Sequence, residues 1–278
     1  MPLIDIPFFR PCFRKLFRFT LLLDEFEWIN LSQEVKIIEI RKVPTGATLL
    51  FAFPDVGLVG VIAASHLIEE LGLTEVAYVN SNLLPPLIVL HEGLPHSSIR
   101  IFAGQDTLLA VSEVPIPTDA IYPIMDALIN WAKSKDVKMM ISLSGMPIQD
   151  RQDVTELKSF AAASNAEALK TAQEKGLEIL TEGYMVGPQA VVLQRAAEAG
   201  SPAITLLAQC FPNYPDPEAA AEVLKELAKI TGLKVNVAKL LEKGEEIRLR
   251  ARDVMKRTQQ EMTKMKKGQE YDIPMYVS

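Results

Sequence analysis

The chain has 278 residues, 49% of them hydrophobic and 23% charged, with a formal net charge of -6. That composition can fill a sizeable core and excludes disorder as the main state, and the acidic balance excludes a general nucleic-acid binder, which needs a basic face. Two cysteines, Cys12 and Cys210, are too few for a disulfide framework and lack metal-site spacing, so a reducing cytoplasm is the expected setting.

Residues 1–34 interleave Phe8, Phe9, Phe13, Phe17 and Phe19 with Arg10, Arg14, Lys15 and Arg18. A signal peptide places its basic residues ahead of an unbroken apolar region. The longest clean run is also far short of the roughly 20 residues of a membrane span. The expectation is a poorly ordered extension or an amphipathic surface helix, with no membrane partner.

From residue 35 the chain reads as alternating strand and helix. Val35 to Ile40 alternates apolar and polar residues and predicts an edge strand. Leu49 to Phe53 is an apolar run with the length of a buried strand. Pro54-Asp55 breaks it, and an apolar helix follows, with Asp55 as the expected N-cap. Gly57 and Gly60 lie in that turn. Strand, tight turn, helix is the unit of open α/β sheets, whose ligands sit outside the strand ends. The two glycines read first as a sharp turn with close helix–sheet packing. An anion cradle is the alternative, although the spacing is neither GxGxxG nor a P-loop.

Glu75 to Asn80 predicts a third strand. Leu87 to Leu90, Ser98 to Phe102 and Thr107 to Val111 predict short strands around turns at Gly93 and Gly104. Thr118 or Asp119 should cap a helix from Ala120 to Lys133. A strand over Val137 to Leu143 then ends in Ser144-Gly145, and the polar stretch Gln149 to Glu156 is expected at the surface. Ser159 to Ala163 follows as a strand, and Asn165 caps a helix that Gly176 ends. Pro188 starts a helix closed by Gly200, Ala203 to Ala208 is a buried strand, and Glu218 to Ile230 is an Ala-rich helix. The pattern predicts an α/β fold with a mixed, mostly parallel sheet flanked by helices over residues 35–235.

Residues 236–267 form a separate helical segment in this reading, one long helix broken only by Gly244. Its narrow apolar stripe (Leu240, Ile247, Ala251, Val254 or Met255, Met262, Met265) resembles a helix-pairing seam. Residues 243–267 hold nine Lys/Arg against four Asp/Glu, a local +5. That charge reads as a solvated face or as an arm for an acidic partner surface. Residues 268–278 form a flexible tail, because Gly268 ends the helix and Pro274 opposes another.

Catalytic constellations are scarce. His66 lies among apolar neighbours and reads as structural. His91 and His96 bracket Gly93 without a third metal ligand. Ser144 is not in a GxSxG elbow. Glu113 and Asp119 could pair as loop carboxylates, and Cys210 reads as a small core residue. No catalytic residue, cofactor or metal site is expected.

Phe53-Pro54-Asp55-Val56-Gly57-Leu58-Val59-Gly60, Leu84-Pro85-Pro86 and Ser144-Gly145-Met146-Pro147 occur in linked order with Gly183-Tyr184-Met185-Val186-Gly187-Pro188 and Tyr214-Pro215-Asp216-Pro217-Glu218. Together they resemble the proteasome assembly chaperone family, in particular its archaeal branch. The resemblance covers about residues 36–235. It implies a nucleoside-phosphorylase-like core, homo-oligomers, no cofactor, and ATP-independent binding to the α subunits of the proteasome core particle. It also implies a docking tail of hydrophobic residue, tyrosine and one final residue, whose terminal carboxylate meets a lysine between α subunits. Met275-Tyr276-Val277 fits that pattern and Ser278 follows it, so the expected partner-binding residues are Met275, Tyr276, Val277 and Ser278. The alternative is a nucleoside-phosphorylase-like or hydrolase-like enzyme, with the Gly57/Gly60 turn and the Gly183–Gly187 loop as an anion pocket.

Overall fold

The computed structural model describes residues 35–265. The expectations for residues 1–34 and for the tail, including Met275 to Ser278, lie outside the described residues.

Among the described residues ten strands form: β1 (Val35–Glu39), β2 (Thr48–Ala52), β3 (Thr74–Ser81), β4 (Val89–His91), β5 (Leu94–His96), β6 (Ile99–Gly104), β7 (Thr107–Ser112), β8 (Met139–Pro147), β9 (Ser159–Ala163) and β10 (Ala203–Cys210). Eight of them make one sheet in the order β1-β3-β6-β7-β2-β8-β10-β9, while β4 and β5, among the described residues, pair only with each other. The sheet is mixed, as the sequence predicts. Parallel pairing is confined to the central strands β7, β2, β8 and β10, and antiparallel strands complete both margins. The β6–β7 hairpin is the reason: a two-residue connection at Gln105-Asp106 can join only antiparallel neighbours.

The helices are α1 (Val59–Leu71), α2 (Ile121–Ser134), α3 (Ala166–Glu174), α4 (Pro188–Glu198), α5 (Pro217–Thr231), α6 (Ala238–Glu242) and α7 (Gly244–Lys264). Strand alternation divides the core between them. Leu50 and Ala52 face one side and pack with α1, α3 and α5. Leu49 and Phe51 face the other and pack with α2 and α4. Both faces of the central strands are covered, which is why they read as unbroken apolar runs.

A side-chain cap follows expectation at Asn165, and a second, not expected from the sequence, forms at Asp216. The Asn165 side chain accepts from the Ala168 N–H at 2.9 Å at the start of α3, and Asp216 accepts from Ala219 N–H at 3.1 Å at the start of α5. Thr118 and Asp119 cap nothing. They belong to a 3-10 turn, Thr118–Ala120, that runs directly into α2 and satisfies its first turn with backbone. Asp55 also makes no cap bond, because its carboxylate is held elsewhere.

The helical segment after residue 236 breaks at Lys243 into α6 and α7. Its apolar stripe is no open seam. Ile247, Ala251, Val254 and Met262 pack against the α1/α5 side of the core, and Met255 is buried there. Met265 packs against the α2/α4 side. Helix α7 therefore crosses the carboxyl ends of the central strands, touching the 3-10 turn Val56–Leu58. Its Gln259 donates to the Asn213 carbonyl at 3.0 Å.

Candidate functional site

The strand-end turn after β2 is packed from both sides. Gly57 has φ +63°, a backbone few side chains tolerate, and a Cβ there would lie 3.0 Å from Cys210 Sγ. A Cβ on Gly60 would lie 2.3 Å from the Leu143 carbonyl oxygen of β8. The glycines serve a tight turn and close helix–strand contact, the first of the two readings the sequence allowed.

Polar groups close the same region. The buried Asp55 carboxylate accepts from the Ser144 hydroxyl and from Gln189 Nε2 at 2.8 Å. Gln189 also donates to the Val186 carbonyl at 2.8 Å. The Gly57/Gly60 turn and the Gly183–Gly187 loop are thus joined, and a carboxylate sits at the join, where an anion would be repelled. The Gly57 carbonyl accepts from Asp216 N–H at 2.8 Å. Asp216 in turn holds Arg151, with Nε to Oδ2 at 2.9 Å and Nη2 to Oδ1 at 3.2 Å.

The stretch Gln149 to Glu156 lies mostly at the surface, as expected, with Arg151 as the exception: its side chain is 4% exposed. It also donates to Glu218 at 2.6 Å, and its guanidinium lies 4.8 Å from the centre of the Phe211 ring. Burial alone would lower its pKa, but the bonds and charges of Glu218 and Asp216 outweigh burial and raise it above the ordinary arginine value.

The three imidazoles have structural partners. His66 Nε2 lies 2.9 Å from the Asn236 carbonyl oxygen, as its apolar setting predicts. His91 Nε2 lies 2.8 Å from Glu113 Oε1, and His96 Nδ1 lies 3.2 Å from Glu75 Oε2. Arg100 stands between them and contacts both carboxylates. Glu113 is thereby taken, and Asp119 is exposed at the start of α2, so these two acids form no pair. No group of three or more His, Cys, Asp or Glu able to hold a metal occurs among the described residues.

The His–Glu–Arg cluster anchors the β4–β5 hairpin over a groove of about 1010 Å³ between α1 and α6/α7. Ile62, Phe102, Leu240 and Val254 give it apolar walls, and Lys239 and Lys243 rim it, paired with Glu70 at 3.2 Å and Glu69 at 3.4 Å. Its chemistry suits holding elements together. On the outer side of α7, Arg252, Lys256 and Arg257 are exposed. Sequence reasoning missed the polar knots at Asp55 and Arg151, whose partners lie 65 to 134 residues away.

Comparison with known proteins agrees with this architecture. The PAC2 family model matches residues 49–255. An uncharacterized protein of Methanocaldococcus jannaschii is 28% identical over 244 residues, 87% of this chain and 98% of that protein. The crystal structure of Pyrococcus furiosus PbaA, an archaeal homolog of proteasome-assembly chaperone, matches with TM-score 0.75 and 30% identity, covering 82% of this chain and 99% of its own. Pyrococcus furiosus PbaB, an archaeal proteasome activator, matches with TM-score 0.69 over 80% of this chain and 99% of its own. At 19% identity that second likeness is one of fold.

Proposed function

The chain belongs to the PAC2 family, and from that premise we propose that it is an ATP-independent, homo-oligomeric chaperone of the cytoplasm that engages the α ring of the proteasome core particle. The observation that carries the reading is the 30% identity to PbaA over 99% of that chain. The packed strand-end turn supports a binding role over catalysis, since Gly57 and Gly60 are committed to internal contacts.

In this proposal α7 is a strut. Its apolar side is fixed to the core, and it carries the chain across the strand ends to Met265, from which residues 266–278 continue. Met275, Tyr276, Val277 and Ser278 are the anchor, with tyrosine supplying apolar area and a hydroxyl together. Arg252, Lys256 and Arg257 add a basic flank for an acidic rim.

Co-sedimentation with an archaeal proteasome α ring tests the proposal, comparing the full chain with a variant lacking residues 275–278. Binding that disappears with the tail is the expected result. Binding that survives moves the contact to the core or α7, and no binding by either protein overturns the proposal.

A further inference from the structure

The loop from β10 to α5 reads Phe211-Pro212-Asn213-Tyr214-Pro215-Asp216-Pro217, and its three prolines fix their own φ and restrict the residue before each. Side-chain contacts hold it as well. Phe211 N–H donates to Asp216 Oδ2 at 3.1 Å, and the Phe211 ring lies against the Arg151 guanidinium. From α7, Gln259 Nε2 donates to the Asn213 carbonyl at 3.0 Å and lies 3.3 Å from Asn213 Oδ1. Pro215, Asp216 and Pro217 are buried. On this fixed frame Tyr214 is 69% exposed, with the Phe211 ring set edge-on at 6.4 Å between ring centres. A side chain so exposed contributes little to the core. An aromatic already held in place loses little entropy when a partner covers it.

The Gln259 contact also sets which side of α7 lies beside Tyr214. Residues three, seven and ten positions earlier share that side of a helix, and here they are Lys256, Arg252 and Leu249. All three are exposed, Leu249 by 66%, and at 1.5 Å per residue the stripe runs about 15 Å to Gln259. The cations of α7 divide in two. Arg248, Arg250 and Lys264 pair with glutamates of the chain. Arg252 and Lys256 pair with no acid among the described residues, and Asp253 is the only acid between residues 247 and 260. In a chain of net charge -6, this stripe is locally positive.

We propose that Tyr214, with Leu249, Arg252 and Lys256 beside it, is a second contact surface for the proteasome α ring, in which the tyrosine enters a partner pocket and the two cations meet acidic groups around it. The inference rests on the function proposed above and adds a site to it. Tyrosine and arginine are the side chains that most often carry binding energy at the centre of an interface, and the phenol offers apolar area with a hydroxyl at its tip. The unpaired cations fix the chemistry of the occupant as acidic. Continuity with the tail fixes its identity. Gln259 stands six residues, about 9 Å of helix, before Met265, where the chain continues to Tyr276. A partner gripping Tyr276 is held within about 40 Å of that point, so the contact at Tyr214 forms at a raised effective concentration.

Affinity for an archaeal proteasome α ring tests this on the full chain, on Tyr214→Ala and on the double variant Arg252→Glu/Lys256→Glu, with thermal midpoint and sedimentation mass measured for each. Tyr214→Ala is expected to weaken binding about tenfold. The double variant should lose at least as much at low salt, and its deficit should shrink as added salt screens the wild type. Both should keep the wild-type midpoint and mass. Wild-type affinity in Tyr214→Ala overturns the inference and leaves the tail anchor standing. A weakened variant with a lowered midpoint also overturns it, by placing Tyr214 in the fold, and one with a lowered mass does so by placing the surface between copies. A full chain that does not bind the α ring overturns the proposed function and this inference with it.

Discussion

Ser144, at the carboxyl end of β8, donates its hydroxyl to the Asp55 carboxylate beyond the end of β2, its parallel neighbour in the sheet. The bond joins two strand ends at the place where open α/β folds usually leave a ligand crevice. Here Gln189 completes the contact from α4 and α7 covers the turn. Ser144→Ala should therefore behave as a stability variant. Removing a buried donor from a carboxylate costs about 1.5–3 kcal/mol, which chemical denaturation would read directly. Phosphate and nucleosides should leave the thermal midpoint of the wild type unmoved.

Arg151 and Asp216 set the next expectation. Their side chains are 4% and 0% exposed, so deleting the cation leaves a buried carboxylate without its main counter-charge. Arg151→Met should cost about 3–5 kcal/mol, the range for breaking a buried pair from one side. Glu218→Gln removes only the half-exposed partner and should cost under about 1 kcal/mol. Equal losses in urea unfolding of the two variants would show that the Asp216 contact is not the dominant one.

Glu39 gives a pH dependence at the sheet edge. It accepts from Lys135 Nζ at 2.7 Å and from Trp131 Nε1 at 2.8 Å, tying β1 to α2. The Lys135 bond, against a smaller opposing effect of burial, and then the Trp131 bond hold its carboxyl below the ordinary value of 4.5. A carboxyl depressed in the folded state stabilises above its unfolded pKa and loses that contribution as pH falls through the folded value. Glu39→Gln should thus be less stable than wild type at pH 7, by under about 1 kcal/mol for so exposed a group. The gap should narrow as the pH falls below the ordinary value of 4.5. A gap that does not change with pH in that direction would assign it to packing.

What was legible in the sequence was whatever neighbours in sequence decide. Apolar runs marked β2, β7 and β10, and Asn165 and Gly176 bounded α3, because strand periodicity and caps are local. Asp55 looked like a cap for the same reason, since an aspartate just ahead of an apolar helical run has that local signature. Its true partners stand 89 and 134 residues away. Arg151 lies in a polar, mostly exposed stretch, and its own burial depends on Asp216, 65 residues on. β5 was hidden by its length of three residues and by Pro95, which suppresses a strand signal. The stripe of α7 looked too narrow for a core face because one helix packs against two separate clusters.

The tail yields the sharpest prediction of the proposed reading. α7 is already anchored by Met255, Thr258 and Met265, upstream of every residue concerned. Tyr276→Ala should weaken α-ring binding at least about tenfold, the loss of an aromatic anchor worth about 2 kcal/mol. Tyr276→Phe should retain most of it if apolar area dominates and lose it if the hydroxyl does. Deleting Ser278 alone makes Val277 the terminal residue and moves the carboxylate by about 3.5 Å along an extended chain. That displacement decides whether the carboxylate can reach a lysine, because a charge-assisted bond needs about 2.8 Å. The expected result is tighter binding with a steeper loss in salt. Weaker binding would show that the partner reads Ser278 itself.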